Sequence, residues 1–259
     1  REIAALTGNA PTILYSAQQA REAAQAGVSP DDYRRGQLAF QAQAGQFIGE
    51  GEFAKLGQEE AADLMRRVAS FSASQGIDIA DPAKLMGTLI GKAPKGTSNA
   101  DLMGTFGKLF KAIQLAGGET SPLIGQLAEL VQEEVGEGGT FEDVLDAAPL
   151  IRAMAERNPG EASTYGRSLI RGLREVRAAK KHAAGGGDEG EFLSQYFRDI
   201  RTFGGVRTAI NAGVRGKGFD RVYAEMKGVS GDTIDSSIAG YLLSEEGMTR
   251  RQESSIAAA

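Results

Sequence analysis

Apolar side chains along this chain recur at helical rather than strand spacing. The stretch Glu59–Gln75 places Leu64, Met65, Val68 and Phe71 at i, i+1, i+4 and i+7, the stripe of a helix with one buried face. The same period returns in Leu85, Met86, Leu89 and Ile90, then in Leu102, Met103, Phe106, Leu109, Phe110 and Ile113. It returns again in Leu123, Ile124, Leu127, Leu130 and Val131, and in Tyr165, Leu169, Ile170, Leu173 and Val176. A further segment carries Phe141, Val144, Leu145, Ile151 and Met154, with a bend expected near Pro149, whose missing N–H opens the helical ladder. Alternating runs of strand length are scarce, and Ile13–Tyr15 is the one short candidate. Glycines such as Gly91, Gly96, Gly117, Gly118, Gly136 and Gly160 punctuate the pattern, and others sit inside the periodic segments. The expected fold class is all-α: multiple short helices packed as hairpins, either stacked as an irregular solenoid or collapsed into a globule.

Helix starts are marked by residues that satisfy exposed backbone donors. Ser16 with Gln19 reads as a capping pair for a helix running to about Ala26 and stopped by Gly27. Ser29-Pro30-Asp31-Asp32 is a sharper start, with Ser29 as cap and Pro30 in the first turn. The helix after it carries Tyr33, Leu38, Phe40, Phe47 and Ile48, its second half weakened by Gly45 and Gly49. Asp81-Pro82, Ser98 or Asn99, Ser121-Pro122, and Thr140 with Asp143 open later helices, and Asp232 and Thr249 are expected to cap two last ones. The clearest linker is 184–190 (AGGGDEG). The domain reading is an N-terminal helical extension over 1–57, a central helical-hairpin domain over 58–183 and a C-terminal helical subdomain over 191–259.

Ala62-Asp63-Leu64-Met65 recurs as Ala100-Asp101-Leu102-Met103, and more loosely as Glu142-Asp143-Val144-Leu145. A spacing near 40 residues suits stacked helix pairs. Asp near a helix start is also favoured simply by the positive end of the helix dipole.

Composition narrows the chemistry. The chain has 259 residues, no cysteine, no tryptophan and one histidine, His182. Disulfides, Cys-ligated zinc and thiol catalysis are therefore excluded. A net charge of -5 supplies no global field for nucleic acid or an anionic membrane. No run of the sequence approaches the apolar length of a membrane span. A chain opening on Arg1 is expected to be a section or processed product of a longer one.

His182 lacks a local partner that would make it an acid–base catalyst, and it suits the negative end of a helix. No HExxH or calcium-loop pattern supplies a metal site, so no metal and no cofactor is expected. Carboxylates such as Glu133, Glu134, Glu137 and Glu142 read as a solvated face rather than the facing pair of a glycosidase. The same holds for Glu119. Gly185-Gly186-Gly187 and Gly204-Gly205 match no phosphate-loop fingerprint and read as hinges. One positive feature remains. Arg167, Arg171, Arg174 and Arg177, followed by Lys180 and Lys181, form a basic stripe at helical spacing. It is a candidate partner contact, with Leu169, Ile170 and Leu173 opposite; specific nucleic-acid binding is the weaker reading. No catalytic, cofactor-binding or metal residue is assigned.

Residues 58–176 resemble the tape measure protein of long-tailed bacteriophages and related tail-like particles. The resemblance rests on the Ala-Asp-Leu-Met and Glu-Asp-Val-Leu helix openings and on Thr140–Leu145 followed by Ala147-Ala148-Pro149-Leu150. It rests also on Gly160-Glu161-Ala162-Ser163-Thr164-Tyr165-Gly166-Arg167-Ser168-Leu169, in which Ser163 stands where the family usually has glycine. The resemblance implies a structural segment of a virion tail, made in the bacterial host cytoplasm. It implies roles in tail length determination, assembly and genome ejection. Its partners would be tail tube, tail-tip or baseplate proteins and copies of itself. No active site is implied. The alternatives are a soluble all-helical interaction module and, behind it, a carboxylate-dependent hydrolase.

Overall fold

The structure, a computed structural model, describes residues 13–114, 121–136, 140–141, 144–145, 148, 185–186 and 228–257. These residues form eight helices and no strand, so the all-α expectation holds for them. The helices are α1 (Ile13–Ala26), α2 (Pro30–Ala44), α3 (Gln58–Ser74), α4 (Ala80–Lys92), α5 (Asn99–Gln114), α6 (Ser121–Gly136), α7 (Gly231–Leu242) and α8 (Glu245–Ala257). A 3-10 turn, Gly45–Phe47, follows α2. None of the described helices is long and apolar enough to cross a membrane.

The chain divides into two compact units. Among the described residues the first takes in 13–107, 121–128 and 229–257. Residues 13–57 fall in the same unit as α3, α4 and the two last helices. The second unit takes in 108–114 and 129–136 with the few described residues up to 228. Leu109, Phe110, Leu130, Val131, Val144 and Ala148 are buried there.

The caps explain most boundaries. Ser29 is extended (φ -68°, ψ 150°), and its hydroxyl accepts the Asp32 N–H at 3.1 Å. At α3 the Glu60 carboxylate accepts the Gly57 N–H at 2.9 Å, and Gly57 has no side chain to reciprocate. At α5 the cap is Ser98, which accepts the Asp101 N–H at 3.1 Å. Five expectations are corrected, the first in that Phe47 and Ile48 lie beyond α2, which ends at Ala44. Helix α1 begins at Ile13, so Ser16 lies inside it rather than capping it, and Ile13–Tyr15 is helical, not a strand. Helix α7 is capped by Ser230, which accepts the Thr233 N–H at 3.3 Å, leaving Asp232 within the first turn. Helix α8 starts after Ser244, whose hydroxyl accepts the Gly247 N–H at 3.1 Å, so Thr249 is internal. In both late helices a serine sits one residue outside the helix, where its oxygen reaches the third N–H, and the expected caps lie too far in to do so.

Small residues set the packing of the first unit. The most extensive helix pair is α2 on α4. Ala83, Gly87 and Gly91 recur every four residues along α4, and Gly36, Phe40 and Ala44 do so along α2. A Cβ on Gly87 would stand 2.8 Å from the Phe40 carbonyl oxygen and 2.9 Å from Gln43 Cβ, so here helix approaches helix backbone to side-chain root. Gly91 receives the Phe47 ring, and Gly107 on α5 receives Ile234 and Val229. Around these contacts Tyr33, Phe40, Leu64, Met65, Val68, Leu85, Met86, Leu89 and Phe106 are buried, and Phe71 meets Phe106 edge-on at 5.7 Å. Leu64-Met65 and Leu102-Met103 are both buried, but Asp63 is the sixth residue of its helix and Asp101 the third of its own, so Ala62–Met65 does not open its helix as expected.

The last helices return to the first. Helix α8 packs on α1 and α7 on α3, contacts that nearest-neighbour stacking of hairpins does not make. Within this unit the arrangement is a closed one.

Candidate functional site

Two features of the first unit concentrate polar groups. The first is the turn between α1 and α2. Gly27 has φ +71°, the left-handed conformation that ends α1, with the Val28 N–H bonded to the Ala23 carbonyl at 3.1 Å and the Gly27 N–H to Ala24 at 3.2 Å. The three carbonyls that follow would be orphaned at such an end. Each is met by a hydroxyl from a different helix. Ser70 of α3 donates to Ala26 O at 2.9 Å, Tyr241 of α7 to Gly27 O at 3.0 Å, and Ser254 of α8 to Val28 O. These donors are buried, so each bond also avoids leaving a desolvated carbonyl unpaired. The turn is therefore clamped by residues as far as 226 positions away in sequence.

Charges gather around this clamp. Burial by itself would raise the Asp32 carboxyl, but the Ser29 hydroxyl, Arg35 and Arg250 outweigh it and hold the group below the usual carboxylate range. Burial pushes the Tyr241 hydroxyl up, with Arg250 working against it and Glu246 with it. Arg67 of α3 grips Asp235 of α7, its Nε at 3.0 Å and its Nη2 at 2.6 Å from the two carboxylate oxygens. At the far end of α4, Lys55 donates to Gly91 O at 2.6 Å and Ala93 O at 2.7 Å, and its ammonium lies 4.8 Å from the Phe47 ring centre. That places a cation on the negative end of the helix. Burial, then the neighbouring Lys92, push the Lys55 ammonium below its ordinary value.

The second feature is a cleft of about 270 Å³ between α1, α2 and the start of α3. Its floor is Tyr33, Phe40, Ala61 and Met65, and its walls carry five carboxamides, Gln18, Gln19, Gln37, Gln41 and Gln58, with one carboxylate, Glu22. Gln19 donates to Gln37 across the cleft at 2.7 Å, tying α1 to α2, and Gln18 donates to Glu22 at 3.1 Å. Carboxamides do not titrate. They offer donors and acceptors in equal measure, which suits the binding of a neutral polar ligand rather than proton transfer. Among the described residues no three His, Cys, Asp or Glu side chains converge as metal ligands.

The basic stripe Arg167, Arg171, Arg174, Arg177 and Lys181 lies outside the described residues, as do His182 and Glu119. The glutamine cleft was not anticipated. Its trace in the sequence is the pair Gln37 and Gln41 on either side of one turn of α2, flanking the buried Phe40, with Gln18 and Glu22 at the same spacing on α1. No protein-family model, no curated protein and no solved structure matches the chain.

Proposed function

We propose that this chain is a structural section of a tape measure protein from a bacteriophage tail or tail-like particle, acting in tail length determination, assembly and genome delivery. It acts by association and without turnover, against tail tube, tail-tip or baseplate proteins and against copies of itself. The observation that carries the reading is the motif resemblance over 58–176. Beside it stands the burial of Leu64-Met65 and Leu102-Met103, the apolar pairs of the two best-matched segments, although only Ala100–Met103 lies at the start of its helix. The chain's polar groups also serve helix-to-helix contacts: the three hydroxyls on the α1–α2 turn, Lys55 on the end of α4 and Arg67 on Asp235. A second reading, a soluble all-helical interaction module, is favoured by the carboxamide cleft, which would serve a partner without any particle.

The two readings separate on gentle purification from the source followed by intact-mass measurement and peptide mapping. Recovery in a high-mass particle supports the tail reading. A free monomer of about this length contradicts it and leaves the interaction module.

A further inference from the structure

We infer that the cleft between α1, α2 and α3 binds the main chain of an extended polypeptide segment. The inference stands on the cleft alone and does not depend on the particle reading. Gln37 and Gln41 are four residues apart on α2, a rise of about 6 Å along the helix axis. An extended chain presents same-side peptide groups every second residue, about 6.6–6.8 Å apart. The two repeats agree to within roughly 1 Å over one step, so consecutive carboxamides on α2 face alternate peptide groups of a strand laid along the helix. A carboxamide carries the same donor and acceptor as a peptide group and can pair with both. Gln19 fixes the Gln37 oxygen from α1 at 2.7 Å, which orients the Gln37 NH2 for a ligand. The Gln41 main-chain carbonyl accepts the Gly45 N–H within the helix end, but the Gln41 and Gln58 carboxamides hydrogen-bond to no other described residue.

The rest of the lining selects against other ligands. Tyr33 and Phe40 are 0% and 1% exposed, so neither ring offers an open face on which a sugar or base could stack. Glu22 is the single charged lining residue, which favours a neutral or weakly basic ligand. Ala61, Ala62 and Gly45 leave room beside the glutamines for small side chains. A cleft of about 270 Å³ holds a short stretch of chain, not a folded domain.

The test is side-chain amide NMR of the full chain titrated with acetyl-Ala-Ser-Ala-Ser-Ala-amide. The same peptide with alternate backbone nitrogens methylated removes donors without changing side chains. Diacetylchitobiose serves as the sugar arm. The expected result is saturable shifts at Gln37 and Gln41, and binding weakened by about tenfold or more for the methylated peptide and for Gln41→Met. No saturation, equal binding of the methylated peptide, equal binding by a folded Gln41→Met chain, or binding of the sugar alone would each overturn the inference. The methylated peptide decides the question on the unmodified protein even where a variant folds poorly.

Discussion

Replacing Gly87 by alanine places one methyl group at the closest point of the α2–α4 contact. That group would lie 2.8 Å from the Phe40 carbonyl oxygen, 2.9 Å from Gln43 Cβ and 3.5 Å from the Ala44 nitrogen. The first two neighbours belong to the backbone or the root of a side chain, so they do not swing aside. Relief requires the helices to part by roughly half an ångström to one ångström, which forfeits about a quarter to a half of the dispersion energy along the contact. Overpacking of this kind costs about 1–3 kcal/mol, against about 1 kcal/mol gained from replacing glycine inside a helix. The net expectation is a loss of up to about 2 kcal/mol. Gly240 on α7 is the matched control, since a Cβ there meets nothing within 4 Å. Gly240→Ala gains helix propensity alone and stabilises by about 0.5–1 kcal/mol. Urea melts followed by circular dichroism at 222 nm read both changes, and at about 2–4 °C per kcal/mol the two variants move the thermal midpoint in opposite directions. A Gly87→Ala protein stabilised as much as Gly240→Ala would refute the claim that glycine sets the α2–α4 approach.

Other changes probe the clamp and the caps. Tyr241→Phe removes the donor to Gly27 O and costs about 1 kcal/mol in urea melts. Because burial raises the Tyr241 hydroxyl, its contribution is complete below its unfolded value of 10.0 and is lost as pH rises through the folded value. Parent and Tyr241→Phe stabilities measured from pH 8 to 11 (a range of order set by ordinary tyrosine titration) therefore converge at the alkaline end. Ser29→Ala costs about 1 kcal/mol as a lost N-cap. It also removes the hydroxyl that helps to hold Asp32 charged. The stability Asp32 contributes is present above its unfolded value of 3.8 and lost as pH falls through the lowered folded value, so acid unfolding is shallower in Ser29→Ala. A double-mutant cycle on Arg67 and Asp235 gives a coupling of about 1 kcal/mol or less that falls with added salt, because Asp235 is half exposed.

Helix positions were legible because their signals are local. Ser29-Pro30, the Leu64/Met65/Val68/Phe71 stripe and Ser121-Pro122 each carry cap or period within a few residues, and those helices lie where the pattern put them. The late caps were misplaced by two or more residues because Asp232 and Thr249 are equally plausible in composition. Only the reach of Ser230 and Ser244 to the third N–H distinguishes the true caps. The docking of α7 and α8 on α3 and α1 left no local trace. Ser70, Tyr241 and Ser254 are ordinary residues until the fold brings them to three consecutive carbonyls. The cleft was hidden for a related reason: glutamines on α1, α2 and α3 look like solvated positions until three helices converge on them.

Cross-linking mass spectrometry on tail-like particles purified from the source tests the central claim most directly. Lys55, Lys84, Lys92, Lys95 and Lys108 supply amines on this chain for a bifunctional reagent. The account predicts cross-links from these lysines to tail tube, tail-tip or baseplate subunits, on peptides that co-sediment with the particle. Recovery of the chain only in the free fraction, with cross-links confined to itself, would contradict it.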